Sequence, residues 1–389
     1  MQFIDLAAQQ QRIRPELERR IQAVLEHGNY IMGPEVLELE ERLTGFVGAR
    51  HCVSCASGTD ALFMALMAWD IGPGDAVFVP PFTFFATGEA PALFGATPIM
   101  TDIDPRTFNM DPAALAKAVE AVQKQDAAIY PLPAAALERP LRARAVIPVN
   151  LFGQTADYDA LLPIAKKHGL LVLEDAAQSF GAAWRGKKSC ALGCHVAATS
   201  FFPAKPLGCY GDGGAIFTDD DALAEVLRSI RVHGKGSDKY DNVRIGINGR
   251  LDTLQAAILL AKLEVFSEEL KARGQVAGWY AQRLAGVDGV APPFVREGNI
   301  SAWAQYSILV KGGKRDAVAA HLKSKDIPTN IYYPTPMHML AAFKHLGYKP
   351  EDMPAALACS RDILALPFHP YMPEADVERV CRAVAESLA

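Results

Sequence analysis

One lysine, Lys205, stands between an apolar run and a cluster of glycines in Ser200-Phe201-Phe202-Pro203-Ala204-Lys205-Pro206-Leu207-Gly208-Cys209-Tyr210-Gly211-Asp212-Gly213-Gly214-Ala215. Prolines and glycines on both sides hold such a turn rigid. An amine fixed there attacks aldehydes once partial desolvation or a neighbouring cation lowers its pKa. Taken alone, the same residues also describe a surface loop with a solvated lysine.

Upstream, the apolar run Leu170-Leu171-Val172-Leu173 reads as a buried strand and ends in Glu174-Asp175-Ala176-Ala177-Gln178-Ser179. Open α/β sheets bind ligands at the carboxyl ends of parallel strands, which is where Asp175 falls. Asp175 alone reads equally as a helix cap. Together with Lys205 it matches the needs of pyridoxal phosphate. The lysine forms a Schiff base with the aldehyde, and a carboxylate keeps the pyridine nitrogen protonated so that the ring accepts electrons. Ser54-Cys55-Ala56-Ser57-Gly58-Thr59-Asp60-Ala61-Leu62 is a small-residue turn leading into the apolar helix Ala61 to Trp69. The N–H groups of Gly58 and Thr59 then point out of a helix N-terminus, a place that binds phosphate dianions, although Thr59 is also a plain N-cap candidate. Ser200 offers a further hydroxyl. The run Pro80-Pro81-Phe82-Thr83-Phe84-Phe85-Ala86-Thr87 carries aromatics that either stack on a flat heterocycle or pack in the core.

The elements that must position these residues alternate. Strand-like runs at Ala76–Val79, Thr97–Met100, Ala145–Val149, Leu170–Leu173, Ala197–Phe201 and Ala215–Phe217 are separated by helix-like stretches such as Asp111–Gln123 and Asp159–His168. That pattern predicts an α/β fold with a mostly parallel central sheet covered by helices on both faces. Helical spacing continues from Asp252 to about Leu284, as in a long helix linking two domains. Beyond it, Gln305–Val310, Arg315–Ser324 and Thr329–Ile331 read as strand, helix and strand of a smaller α+β domain. The expected division is a large domain over 1–265 and a small one over 266–389. The proline-rich stretch Ala127–Arg144 reads as a surface insertion.

The chain has 389 residues, half of them hydrophobic, and a net charge of −5, which provides no basic face for nucleic acid. Its start, Met1-Gln2-Phe3-Ile4-Asp5, is not that of a signal peptide. No apolar run approaches the roughly 18 to 20 residues that span a bilayer, so a cytoplasmic protein without membrane partners is expected. Seven cysteines, an odd number, read as reduced thiols. Cys52 and Cys55, and Cys190 and Cys194 beside His195, invite a zinc or redox reading. Cys55 lies inside the phosphate turn, and small buried thiols are the default, so no metal is expected.

The chain resembles the DegT/DnrJ/EryC1/StrS family of sugar-nucleotide aminotransferases, pyridoxal-phosphate enzymes of fold type I. The resemblance runs from Phe3-Ile4-Asp5-Leu6 and Gly28-Asn29-Tyr30-Ile31-Met32-Gly33-Pro34 to Leu366-Pro367-Phe368-His369-Pro370. It rests most on the Ser57–Leu62 turn, Glu174–Gln178, the Ser200–Lys205 tract and Gly246-Ile247-Asn248-Gly249-Arg250-Leu251-Asp252. It implies Lys205 as the Schiff-base lysine, Asp175 on the pyridine nitrogen and Gln178 on the ring hydroxyl. Gly58, Thr59 and Ser200 would hold the phosphate, and Phe84 would stack on the ring. Asn248 would reach the phosphate in the neighbouring subunit, making a homodimer with shared sites. Arg250 and His338 stand where the family contacts the sugar nucleotide, although Arg250 is also placed to pair with Asp252 and His338 to serve structure.

The implied reaction is ping-pong transamination from an amino acid, L-glutamate by resemblance, to a keto sugar. The sequence after Lys205 is similar to the subgroup acting on 3-keto sugars, above all on UDP-2-acetamido-2-deoxy-3-oxo-glucuronate, whose carboxylate Arg250 would clasp with two hydrogen bonds. The alternative substrate is a GDP- or dTDP-linked 4-keto-6-deoxy sugar. A dehydratase of this fold would carry histidine in place of Lys205. A non-catalytic pyridoxal-phosphate-binding regulator is the reading from a different class.

Overall fold

The computed structural model describes residues 1–238 and 240–389. Two helices come first, α1 (Leu6–His27) and α2 (Pro34–Val47). Strand and helix then alternate through β1 (His51–Cys55), α3 (Gly58–Ala68), β2 (Asp75–Val79), α4 (Ala86–Leu93), β3 (Thr97–Met100), α5 (Pro112–Lys124), α6 (Ala134–Glu138), β4 (Arg142–Val146), α7 (Tyr158–His168) and β5 (Leu171–Asp175). A short hairpin, β6 (Ala183–Trp184) and β7 (Lys187–Lys188), precedes β8 (Val196–Ser200), β9 (Gly214–Thr218) and α8 (Asp221–Ile230).

Seven of these strands form one sheet in the order β1-β9-β8-β5-β4-β2-β3. All are parallel except β9, which runs antiparallel to both of its neighbours. Strands β2 and β9 are buried along their whole length, which explains why they read as continuous rather than alternating apolar runs: helices cover both faces. Val77, Phe78, Val146 and Leu173 pack with Leu66, Leu115 and Leu161 of the helices in the largest core. On the other side, Leu39 and Leu43 of α2 meet Phe217 of β9 and the helix α9 (Thr253–Leu284). A buried ion pair ties α2 to the end of α8: Arg231 donates to Glu40 Oε1 at 2.5 Å and to the Ser54 carbonyl at 3.0 Å, while Ser54 donates N–H and Oγ–H to the same carboxylate.

Helix α9 is 32 residues long and serves two cores. Its first half contributes Leu259, Leu260 and Phe266 beneath the large sheet, and its second half contributes Val276, Tyr280 and Leu284 to a third core. That core is built on β10 (Val290–Ala291), then, after the short β11 (Asn299–Ile300), on β12 (Tyr306–Val310), α10 (Arg315–Ser324), β13 (Ile363–Leu366) and α12 (Glu374–Glu386), while α11 (Pro354–Asp362) sends Ala356 and Cys359 into the main core. Strands β10, β12 and β13 form an antiparallel sheet, and the rings of Tyr280 and Tyr306 stack at 4.7 Å. The fold class agrees with the reading from sequence.

Two expectations are corrected. Thr329–Ile331 is not a strand; it makes one isolated bridge, Asn330 to Ala365, and the third strand of the small sheet is β13. The stretch Ala127–Arg144 is not a surface insertion. Tyr130, Leu132, Ala136 and Leu141 are buried in the main core, Tyr130 Oη accepts the Asp102 N–H at 2.8 Å, and Arg142–Arg144 already belong to β4. Widely spaced apolar residues among prolines conceal a buried face that a window of helical or strand period does not pick up. Among the described residues no helix is long and apolar enough to cross a membrane.

Candidate active site

The residues singled out from sequence gather largely where the parallel strands end. Ser57–Thr59 follow β1, Phe84 and Thr87 follow β2, Asp175 closes β5, and Ser200 closes β8 with Lys205 in the turn beyond. The turn is pinned by its own backbone: Phe201 N–H donates to the Gly213 carbonyl and Cys209 N–H to the Phe201 carbonyl, both at 2.7 Å, and Lys205 N–H to the Phe202 carbonyl at 2.9 Å. Gly208 is required there, since a Cβ on it would stand 2.6 Å from the carbonyl oxygens of Phe202 and Pro203. Burial pushes the Lys205 amine below the usual lysine range, and the charge of Asp175 opposes this. Lys205 is thus a partly buried amine in a turn held by its own backbone.

Asp175 is 6% exposed. Thr87 Oγ1–H donates to its Oδ2 at 2.9 Å, and Ala177 N–H to its Oδ1 at 3.2 Å. Burial raises its pKa, while Thr87, Ala177 and the charge of Lys205 act against the rise. A buried carboxylate with so few donors gains from a cationic N–H beside it. Gln178 Oε1 accepts the Phe152 N–H at 2.7 Å, and its Nε2 donates to Tyr333 Oη at 3.1 Å, which leaves one amide hydrogen for a ligand.

At the other end, Ser57 and not Thr59 caps α3: Ser57 Oγ accepts the Asp60 N–H at 3.0 Å. Among the described residues the N–H groups of Gly58 and Thr59 have no backbone acceptor, so they remain available for an anion. Ser200 Oγ accepts the Phe202 N–H at 3.2 Å and keeps its own hydrogen to donate. The ring of Phe84 is 59% exposed, and Asn248 is exposed in the loop before α9. Arg250 is partly buried, forms no ion pair with Asp252, and its buried Nε has no partner among the described residues.

His338, expected at the substrate, is enclosed by the protein. It is 2% exposed, its Nε2 lies 3.3 Å from the Pro350 carbonyl, and burial lowers its pKa. It sits on the side of the molecule where Asp102, following the edge strand β3, caps the start of α11 through the N–H groups of Ala355 and Ala356. Three residues at the site went unassigned in the sequence: Thr87, Tyr333 and Asn150, which is fully buried just beyond β4. Asn150 had a usable signal, a polar residue ending an apolar strand at the same mouth as Asp175. Tyr333 had none, since a tertiary contact from the C-terminal part brings it in.

A profile of the DegT/DnrJ/EryC1/StrS aminotransferase family matches residues 11–385. The chain belongs to this family. It is 49% identical over 384 residues to the UDP-2-acetamido-2-deoxy-3-oxo-D-glucuronate aminotransferase of Pseudomonas aeruginosa, with 99% of each chain covered. A crystal structure of a DegT/DnrJ/EryC1/StrS aminotransferase from Brucella abortus matches with a TM-score of 0.93 and 47% identity, covering all of both chains. The structure of NtdA from Bacillus subtilis with bound cofactor PMP matches with a TM-score of 0.85 and 27% identity over 99% of this chain and 83% of the other.

This aminotransferase uses pyridoxal phosphate, and its residues fit the group. A desolvated amine, a buried carboxylate short of donors and an open helix N-terminus lie along one edge of the sheet. Among the described residues no cluster of His, Cys, Asp or Glu is arranged to hold a metal ion, and all seven cysteines are free.

Proposed function

We propose that the chain moves an amino group from an amino acid, L-glutamate first, to a UDP-linked 3-keto sugar of the 3-oxo-N-acetylglucosaminuronate type. The observation that carries the chemistry is the pair of Lys205 and Asp175 at neighbouring strand ends, the carboxylate buried and the amine partly buried, each acting on the other's charge. The substrate rests on the likeness to the Pseudomonas aeruginosa enzyme. When bound, pyridoxal phosphate supplies an aldehyde and an electron-accepting ring. Lys205 then anchors the group and moves the proton at Cα of the amino acid. Asp175 holds a proton on the ring nitrogen, Gln178 turns its spare N–H to the ring hydroxyl, and Phe84 offers an exposed face for stacking. Gly58, Thr59 and Ser200 bind the phosphate. Arg250, without a carboxylate partner among the described residues, is the cation for a uronate.

The working unit in this proposal is a homodimer with sites completed across the interface. Exposed Asn248 supplies the crossing contact. In the loop that precedes it, Ile245 is 85% exposed and Val243 54% exposed, apolar side chains that a second copy would cover. Within each subunit we divide the chain in the middle of α9, at 265/266, into a large cofactor-binding domain and a small C-terminal one.

The direct test supplies purified protein with pyridoxal phosphate, L-glutamate and either UDP-2-acetamido-2-deoxy-3-oxo-glucuronate or a GDP- or dTDP-linked 4-keto-6-deoxy sugar, and follows 2-oxoglutarate. Faster turnover of the 3-keto uronate is expected. Preference for a 4-keto sugar would overturn the substrate, and cofactor uptake without turnover of any sugar would favour a binding protein.

A further inference from the structure

Directly behind Asp175 on β5, and pointing to the other face of the sheet, lies Glu174, 0% exposed. Its Oε1 takes three hydrogen bonds, from Asn150 Nδ2 at 2.8 Å, Ser189 Oγ at 2.6 Å and Cys190 N–H at 3.0 Å. Its Oε2 is buried with no partner among the described residues. Asn150 carries this anchor to the site. Its backbone N–H donates to the Asp175 carbonyl at 3.0 Å, and its Oδ1 accepts from Ala156 N–H at 2.8 Å and Tyr158 Oη at 3.0 Å. Two residues on, Phe152 N–H holds Gln178 Oε1. A second branch runs from Ser189 to Ser179 Oγ, 2.7 Å away and next to Gln178.

We propose that Glu174 is a positioning residue for the transamination: through Asn150 and through Ser189 it fixes the backbone on both sides of the Asp175–Gln178 turn, and so the two side chains set against the cofactor ring. The inference rests on the reading of those two side chains as cofactor contacts. Every branch of the network is buried, so no solvent molecule replaces a lost member without rearrangement. The charges agree with the geometry. Burial pushes the Glu174 carboxyl up to about 7, its three donors pull it down, and the charge of Asp175 raises it further. The other titratable groups facing it are Tyr158 from α7 and Cys190 and Cys194 from the loop after β7, all pushed upward by burial first and by the charge of Glu174 second. Burial and the neighbouring Asp175 charge thus disfavour the charged form of Glu174, while its three donors favour it.

Two variants test this, Glu174→Gln, which keeps the Oε1 acceptor, and Glu174→Ala, which removes the hub. Dialysis measures pyridoxal phosphate affinity, a pH titration of absorbance reports the bound cofactor, and near-ultraviolet circular dichroism checks folding. The folded Ala variant is expected to lose cofactor affinity and kcat by factors on the order of ten to a hundred, with a displaced pH titration and little change in KM for the amino donor. The Gln variant should stay within a few-fold of wild type. A folded Ala variant with wild-type affinity and titration, whatever its melting temperature, overturns the proposal, as does a Gln variant no better than Ala. If the Ala variant does not fold, Ser189→Ala takes its place: weakened cofactor affinity supports the proposal, and wild-type affinity and titration overturn it. A wild-type chain that takes up no cofactor overturns the proposed function, and this inference with it, before any variant is compared.

Discussion

A β-carbon on Gly58 would lie 2.6 Å from that of Ser200. The first turn of α3 and the last residue of β8 therefore approach as closely as a missing side chain allows, and the two groups proposed to grip the phosphate are held in one geometry. Gly58→Ala must push them apart. A loss of cofactor affinity on the order of tenfold, about 1.4 kcal/mol, is expected in a folded protein. Ser200→Gly in the same chain should relieve the clash without restoring the hydroxyl. Equilibrium dialysis decides it, and an unchanged affinity in Gly58→Ala would move the phosphate site elsewhere.

Lys205→Ala should abolish turnover and leave a folded protein that still holds pyridoxal phosphate without a covalent link. Borohydride reduction followed by mass analysis separates linked from unlinked cofactor. Substantial transamination by this variant, with no amine added, would remove Lys205 from its role.

Asp175→Asn removes the carboxylate that keeps the ring nitrogen protonated. The cost is on the order of several kcal/mol in the barrier if the proton step limits the rate. Single-turnover kinetics with glutamate measure it; a near-normal rate would assign the task to another residue.

Asn248→Ala protein, weakly active, and Lys205→Ala protein, inactive, should complement when mixed and re-associated. In the mixed dimer one site carries both lesions and the other neither, so activity of about a quarter to a half of wild type returns. Proven subunit exchange without recovery would show that Asn248 acts within its own chain.

Glu40→Ala leaves the Arg231 guanidinium buried without its carboxylate, since Arg231 is 5% exposed. A destabilisation of about 3–5 kcal/mol is expected in urea unfolding. Replacing both residues with apolar ones should cost less than that, and a milder effect of the single change would mean that water reaches the guanidinium.

The sheet and the main site were legible for one reason. Fully buried parallel strands carry uninterrupted apolar runs, so their ends, and the polar residues at those ends such as Asp175 and Ser200, stand out in the sequence. What could not be read depends on distant parts of the chain meeting. Tyr333 reaches Gln178 across 155 positions, and Tyr348 donates no periodic signal although its Oη takes the Met100 N–H at 3.1 Å. His338 shows the opposite case. A histidine in a proline-rich segment looks available, and only packing reveals that its ring is enclosed and bonded to a carbonyl.

Helix α9 belongs to two cores without a break, and this decides how the subunit comes apart. Unravelling the C-terminal core withdraws Val276, Tyr280 and Leu284, and the fraying end then propagates into the turns carrying Phe266 and Leu259 beneath the large sheet. Neither half has a melting point of its own; the calorimetric and van't Hoff enthalpies of one subunit should coincide, with the long helix acting as the shared spine that makes two architectures a single cooperative unit.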